Sequence, residues 1–122
     1  MTKYYNISDM VGRTPVSITG ETQGETITFV FSDGTEANFY HDQDCCESVF
    51  IDDINGDWAD LLNTPLLVAE ERVDDSDPRD YDHTTWTFYT FRSLNGSVDV
   101  RWRGNSNGYY SESVDFVMRK KQ

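Results

Sequence analysis

A chain of 122 residues is long enough for one domain whose core removes roughly two thirds of the unfolded surface from water, and too short for two. Its 22 acidic against 10 basic residues give a formal charge of -12, a field that repels nucleic acid and anionic membrane and attracts basic protein surfaces. With no apolar run of about 18 residues, and with an N-terminus Met1-Thr2-Lys3-Tyr4-Tyr5-Asn6 that lacks the basic-then-apolar layout of a signal peptide, neither a membrane span nor secretion is expected, and the chain reads as cytoplasmic.

The first regular element is a hairpin. Ile27, Phe29 and Phe31 alternate with Thr28 and Val30, Asp33-Gly34 supplies a tight turn, and Ala37 and Phe39 alternate with Glu36, Asn38 and Tyr40. A polar stretch, His41-Asp42-Gln43-Asp44-Cys45-Cys46-Glu47, leaves it and enters a strand expected over 46–54. Asp57 suits the N-cap of a short helix that Asn63 and Pro65 end, and a further strand is expected over 66–73. The segment 74–82 carries five aspartates and a proline, which predicts an exposed loop, and the oxygen spacing of a calcium loop is absent from it.

The last third reads as a meander of three strands over 86–92, 97–103 and 109–118, turning at Asn95-Gly96 and Asn107-Gly108. Val98, Val100 and Trp102 share one face of their strand while Asp99, Arg101 and Arg103 share the other, and Val114, Phe116 and Met118 line one face of the last strand. Tyr89 and Phe91 stand opposite Trp86 and Phe88, so both faces of that strand are covered or one meets a partner. The expected fold is mostly β: a single domain over 1–122, an antiparallel β-sandwich or partly open barrel of about seven strands with one short helix.

Two clusters carry the side chains able to do chemistry. In the first, His41, Asp44, Cys45, Cys46 and Glu47 bring together ligand types for a soft divalent metal, but neighbouring cysteines in a strand point to opposite faces and seldom serve one ion. Neighbouring cysteines close a disulfide only through a strained ring, so two free thiols are expected. A nucleophilic pairing of either thiol with His41 or His83 is disfavoured, because Asp42, Asp44 and Glu47 would hold the thiol protonated. The second cluster joins Arg101 and Arg103 to Asn107, Tyr109, Tyr110 and Glu112, rigid amphipathic and cationic groups suited to a protein loop or a small polar ligand. Glu-Ser-Val recurs at 47–49 and 112–114, and neighbouring strands there would bring both clusters to one sheet edge.

The blocks Tyr40-His41-Asp42-Gln43-Asp44-Cys45-Cys46-Glu47-Ser48-Val49, Leu67-Val68-Ala69-Glu70-Glu71 and Ser106-Asn107-Gly108-Tyr109-Tyr110-Ser111-Glu112-Ser113-Val114 resemble a family of small uncharacterised proteins found largely in bacteriophages and their hosts. The resemblance implies a phage accessory protein without supplying an activity. Together with the charge it favours a non-enzymatic binder or inhibitor of a host protein with a basic surface, possible host defence systems included, acting in the host cytoplasm. A metal- or small-ligand-binding protein is one alternative, and a virion or assembly component joined through its aromatic strands is another. No cofactor is expected, and the oligomeric state stays open.

Overall fold

The computed structural model describes residues 5–75, 83–106 and 110–120. Eight strands occur among them: β1 (Pro15–Thr19), β2 (Ile27–Phe31), β3 (Thr35–Tyr40), β4 (Ser48–Asn55), β5 (Val68–Asp75), β6 (His83–Ser93), β7 (Gly96–Ser106) and β8 (Asp115–Lys120). They form two four-stranded sheets ordered β1-β2-β3-β8 and β4-β7-β6-β5, antiparallel at every junction. The arrangement is a β-sandwich with two open sheets, and its helical content among the described residues is the short 3-10 turns Ile7–Met10 and Trp58–Leu61. Asp57 caps the second of these, its side chain accepting from the Ala59 N–H at 2.9 Å.

Alternation along each strand builds the core. Phe29 and Phe39 from one sheet meet Phe91 and Tyr89 from the other, with ring centroids 4.9 and 4.8 Å apart, and Ile27, Ile51, Val98 and Trp102 fill the space beside them. Burial of each such side chain contributes roughly 1.5–3 kcal/mol. The Tyr89 hydroxyl donates to Glu71 at 2.6 Å, and burial followed by that carboxylate pushes its pKa upward.

Three expectations need correction. The last strand does not continue a meander. Both edges of β7 are already paired, to β4 and β6, so the chain crosses to the other sheet and β8 pairs with β3 from Thr35↔Lys120 to Tyr40↔Asp115. The count of about seven strands agrees with the eight found, and the one not singled out in the sequence is β1, added where Pro15 opposes Phe31 and Thr19 opposes Thr28. β5 extends through Asp74 and Asp75, since their backbones pair with Trp86 and Thr85, and only 76–82 of the aspartate-rich segment lies outside the described residues.

The second hairpin turns on Leu94 and Asn95, because Ser93 and Gly96 already face each other across the ladder. Gly96 has a different role there: a Cβ on it would sit 2.9 Å from the Asp60 carboxylate. The first hairpin does turn at Gly34, which has φ +86°. Asp33 braces that turn by accepting from the Thr35 hydroxyl at 2.6 Å and the Thr35 N–H at 3.0 Å, with Arg13 paired to its other oxygen.

Candidate functional site

The β3–β4 connection and the segment leading into β8 come together at one end of the sandwich. Tyr40 and Asp115 are the last pair of the β3–β8 ladder, while Ser48 faces Asn105 at the start of the β4–β7 ladder. Residues 41–47 therefore span from one sheet to the other, and residues 110–114 do the same from the opposite direction.

His41 and Glu47 knit these segments together. Their side chains are 4% and 0% exposed, and His41 Nε2 lies 2.7 Å from Glu47 Oε2. His41 Nδ1 lies 2.7 Å from the Ser113 carbonyl oxygen. Both ring nitrogens thus face acceptors, which is the arrangement of a doubly protonated imidazolium. Burial works against that charge, but the Glu47 and Ser113 acceptors and the negative charges of Glu47 and Asp115 outweigh it and raise the His41 pKa. Glu47 also accepts from the N–H groups of Asp44 and Cys45, each at 2.8 Å, and from Gln43 Nε2 at 3.2 Å. Burial alone would raise its pKa, yet His41 first and then the backbone donors lower it to about 2.

Glu112 is the second buried carboxylate at this end, 5% exposed. It accepts from Thr85 Oγ1 at 2.7 Å and from the Ser106 hydroxyl, which fastens the crossing segment onto β6 and β7. The Glu112 backbone runs so close to β7 that a Cβ on Gly104 would lie 2.7 Å from its carbonyl oxygen. The two Glu-Ser-Val segments do enter this region, although β4 and β8 belong to different sheets. Their clusters meet through the His41 ring rather than along one sheet edge.

Cys45 and Cys46 lie in the connection ahead of β4, outside the strand expected for them, and are joined to each other as a disulfide. The expectation of two free thiols is corrected accordingly: in a loop, neighbouring side chains are not held to opposite faces as they are in a strand. With His41 committed to Glu47 and Ser113, this polar stretch forms a structural knot, and no group of three or more His, Cys, Asp or Glu side chains able to hold a metal ion occurs among the described residues.

Arg101 and Arg103 are not part of this end. They project from the outer face of the β4-β7-β6-β5 sheet, Arg101 bonded to Asp52 at 2.8 Å and both stacked on Trp86 at 5.3 and 5.8 Å from its ring centroid. Tyr110 is half-buried and its carbonyl oxygen accepts from Ser106 at 3.3 Å. Asn107 and Tyr109 lie outside the described residues, as does the side chain of His83.

What the knot leaves open is a cleft of about 380 Å³ between the β3–β4 connection and residues 111–115, lined by Asp42, Asp44, Asp115, Ser111 and Ser113 with His41 and Gln43. Asp42 is tied to its far wall, its N–H donating to Asp115 Oδ2 at 2.9 Å. Asp42 and Asp44 are exposed. Sequence reasoning singled out Asp44 but not Asp42, Ser111, Ser113 or Asp115, whose place depends on β8 crossing between sheets. The profile of a family described as a domain of unknown function, DUF7448, matches residues 8–116. No curated protein and no solved structure matches the chain.

Proposed function

Since the chain belongs to the DUF7448 family, whose description assigns no activity, we propose from the site itself that the protein is a non-enzymatic binder that takes a basic side chain of a partner protein into the cleft between Asp42–Asp44 and Ser111–Asp115. The observation that carries this reading is the lining of that cleft: three carboxylates and two serine hydroxyls around a space of about 380 Å³. The ring beneath it, His41, is paired to Glu47, and Asp42 and Asp44 stay exposed toward a partner. A lysine or arginine suits such a lining, because charge-assisted hydrogen bonds to carboxylates are the stronger class, and the overall charge of -12 steers basic surfaces toward it.

The resemblance to small phage-associated proteins supports reading the partner as a host protein in the host cytoplasm. The test is capture from host lysate with wild-type protein and with the double variant Asp42→Asn, Asp44→Asn. The reading expects a basic protein retained at low ionic strength, released by salt, and lost from the variant. If both forms retain the same proteins, the cleft is not the binding surface.

A further inference from the structure

The outer face of the β4-β7-β6-β5 sheet differs in chemistry from the rest of this acidic molecule. The described cations are Arg13, Arg72, Arg92, Arg101, Arg103, Arg119 and Lys120, and four of them, Arg72, Arg92, Arg101 and Arg103, project from this one face. They are exposed and interleave with the half-buried rings of Trp86 and Phe88, Arg72 lying 4.4 Å from the Phe88 centroid.

The ladder register orders these groups into rows across the strands. Across all four strands one row reads Asp53, Arg101, Phe88, Arg72, and the next reads Asn55, Asp99, Thr90, Glu70. The two arginines of the first row therefore lie directly beside the two carboxylates of the second, and a depression of about 440 Å³ is centred on the boundary between the rows. Glu70, Arg92 and Arg103 have no ion-pair partner among the described residues, whereas Arg72 also reaches Asp74 at 3.6 Å and Arg101 is bonded to Asp52, exposed pairs that can be exchanged for a mate's carboxylates.

A face of this pattern is complementary to itself. A two-fold axis lying in the face, along the boundary and perpendicular to the strands, reverses the strand direction while keeping each strand over its own copy. It places the first row of one molecule over the second row of the other. We infer that this face is the interface of a symmetric homodimer, in which Arg101 and Arg72 of each copy pair with Asp99 and Glu70 of its mate. The same operation sets Arg92 of one copy over the Trp86 ring of the other, since these residues occupy the next rows outward on β6.

The size is adequate. Two strands of 11 residues and two of 8, at roughly 3.4 Å per residue and about 4.8 Å between strands, give a face on the order of 600 Å². A standard specific interface uses roughly 800 Å² per partner. Long-range repulsion between two chains of charge -12 opposes the contact at low salt, and it is screened within about 8 Å at physiological ionic strength, where contacting pairs are screened much less.

The experiment is sedimentation velocity on the full chain at about 0.15 M salt, with Glu70→Arg and Arg72→Glu alone and mixed. Wild type is expected to be a dimer. Each variant alone opposes like charges twice and should self-associate on the order of 100-fold more weakly. The equimolar mixture should recover a one-to-one heterodimer, because the reversed charges then meet their complements. A readout independent of charge reversal is Trp86 emission, which should shift to the blue with concentration in the wild type and be missing from Trp86→Phe. A monomeric wild type, variants that still dimerise, or a mixture that stays monomeric would each overturn the inference.

Discussion

His41 and Glu47 gain and lose their stabilising interaction at opposite ends of the pH scale. Glu47 has its folded pKa lowered from 4.5 to about 2, so its contribution is fully present above 4.5 and lost as pH falls toward 2. His41 has its folded pKa raised above 6.5, so its contribution is fully present below 6.5 and lost as pH rises through the raised value. The pair is therefore strongest between about 4.5 and 6.5. In a Glu47→Gln variant the neutral ring can donate to Ser113 and accept from the amide, so melting temperature followed against pH should lose the alkaline decline that the wild type shows. A pH titration followed by nitrogen NMR of the ring should find the doubly protonated form persisting to higher pH in the wild type than in the variant. Sequence reading placed both residues in one polar stretch but gave them to a metal or a partner. Nothing in the spacing of His41 and Glu47 reveals that a carbonyl 72 positions away completes the imidazole's bonding.

Strands and their faces were legible because alternation is a local property: Ile27, Phe29, Phe31, Val98, Val100 and Trp102 are buried where the pattern puts them. Neighbours were not, since pairing depends on which edges remain open, and β8 found its place only because β7 was already flanked. Gly104 records that crossing. A side chain there meets the Glu112 backbone below 3 Å, so Gly104→Ala should destabilise the fold by about 1–3 kcal/mol, measured by denaturant unfolding. The Cys45–Cys46 bond makes a contrasting prediction. It links adjacent residues, closes almost no chain, and so restricts the unfolded ensemble little. Reduction should leave the melting temperature nearly unchanged, unlike removal of a loop-closing disulfide, which costs about 2–5 kcal/mol.

For the molecule as a whole, a charge of -12 was legible at once but its distribution was not. Folding gathers Arg72, Arg92, Arg101 and Arg103 onto one sheet face, whereas Asp42, Asp44 and Asp115 collect at an end of the sandwich. Self-repulsion of the remaining carboxylates weakens the compact state, and thermal unfolding should shift upward as salt rises from about 0.01 to 0.15 M, as the screening length contracts from roughly 30 to 8 Å.

The pairing of β8 with β3 also bears on how the chain is made. At synthesis speeds of about 5–20 residues per second, β1, β2 and β3 leave the ribosome well before their fourth strand, and the β3 edge from Thr35 to Tyr40 waits unpaired until Asp115–Lys120 follows. Over that interval the nascent sheet presents an open strand bearing Phe39, the kind of edge on which chaperones act and at which neighbouring nascent chains cross-pair.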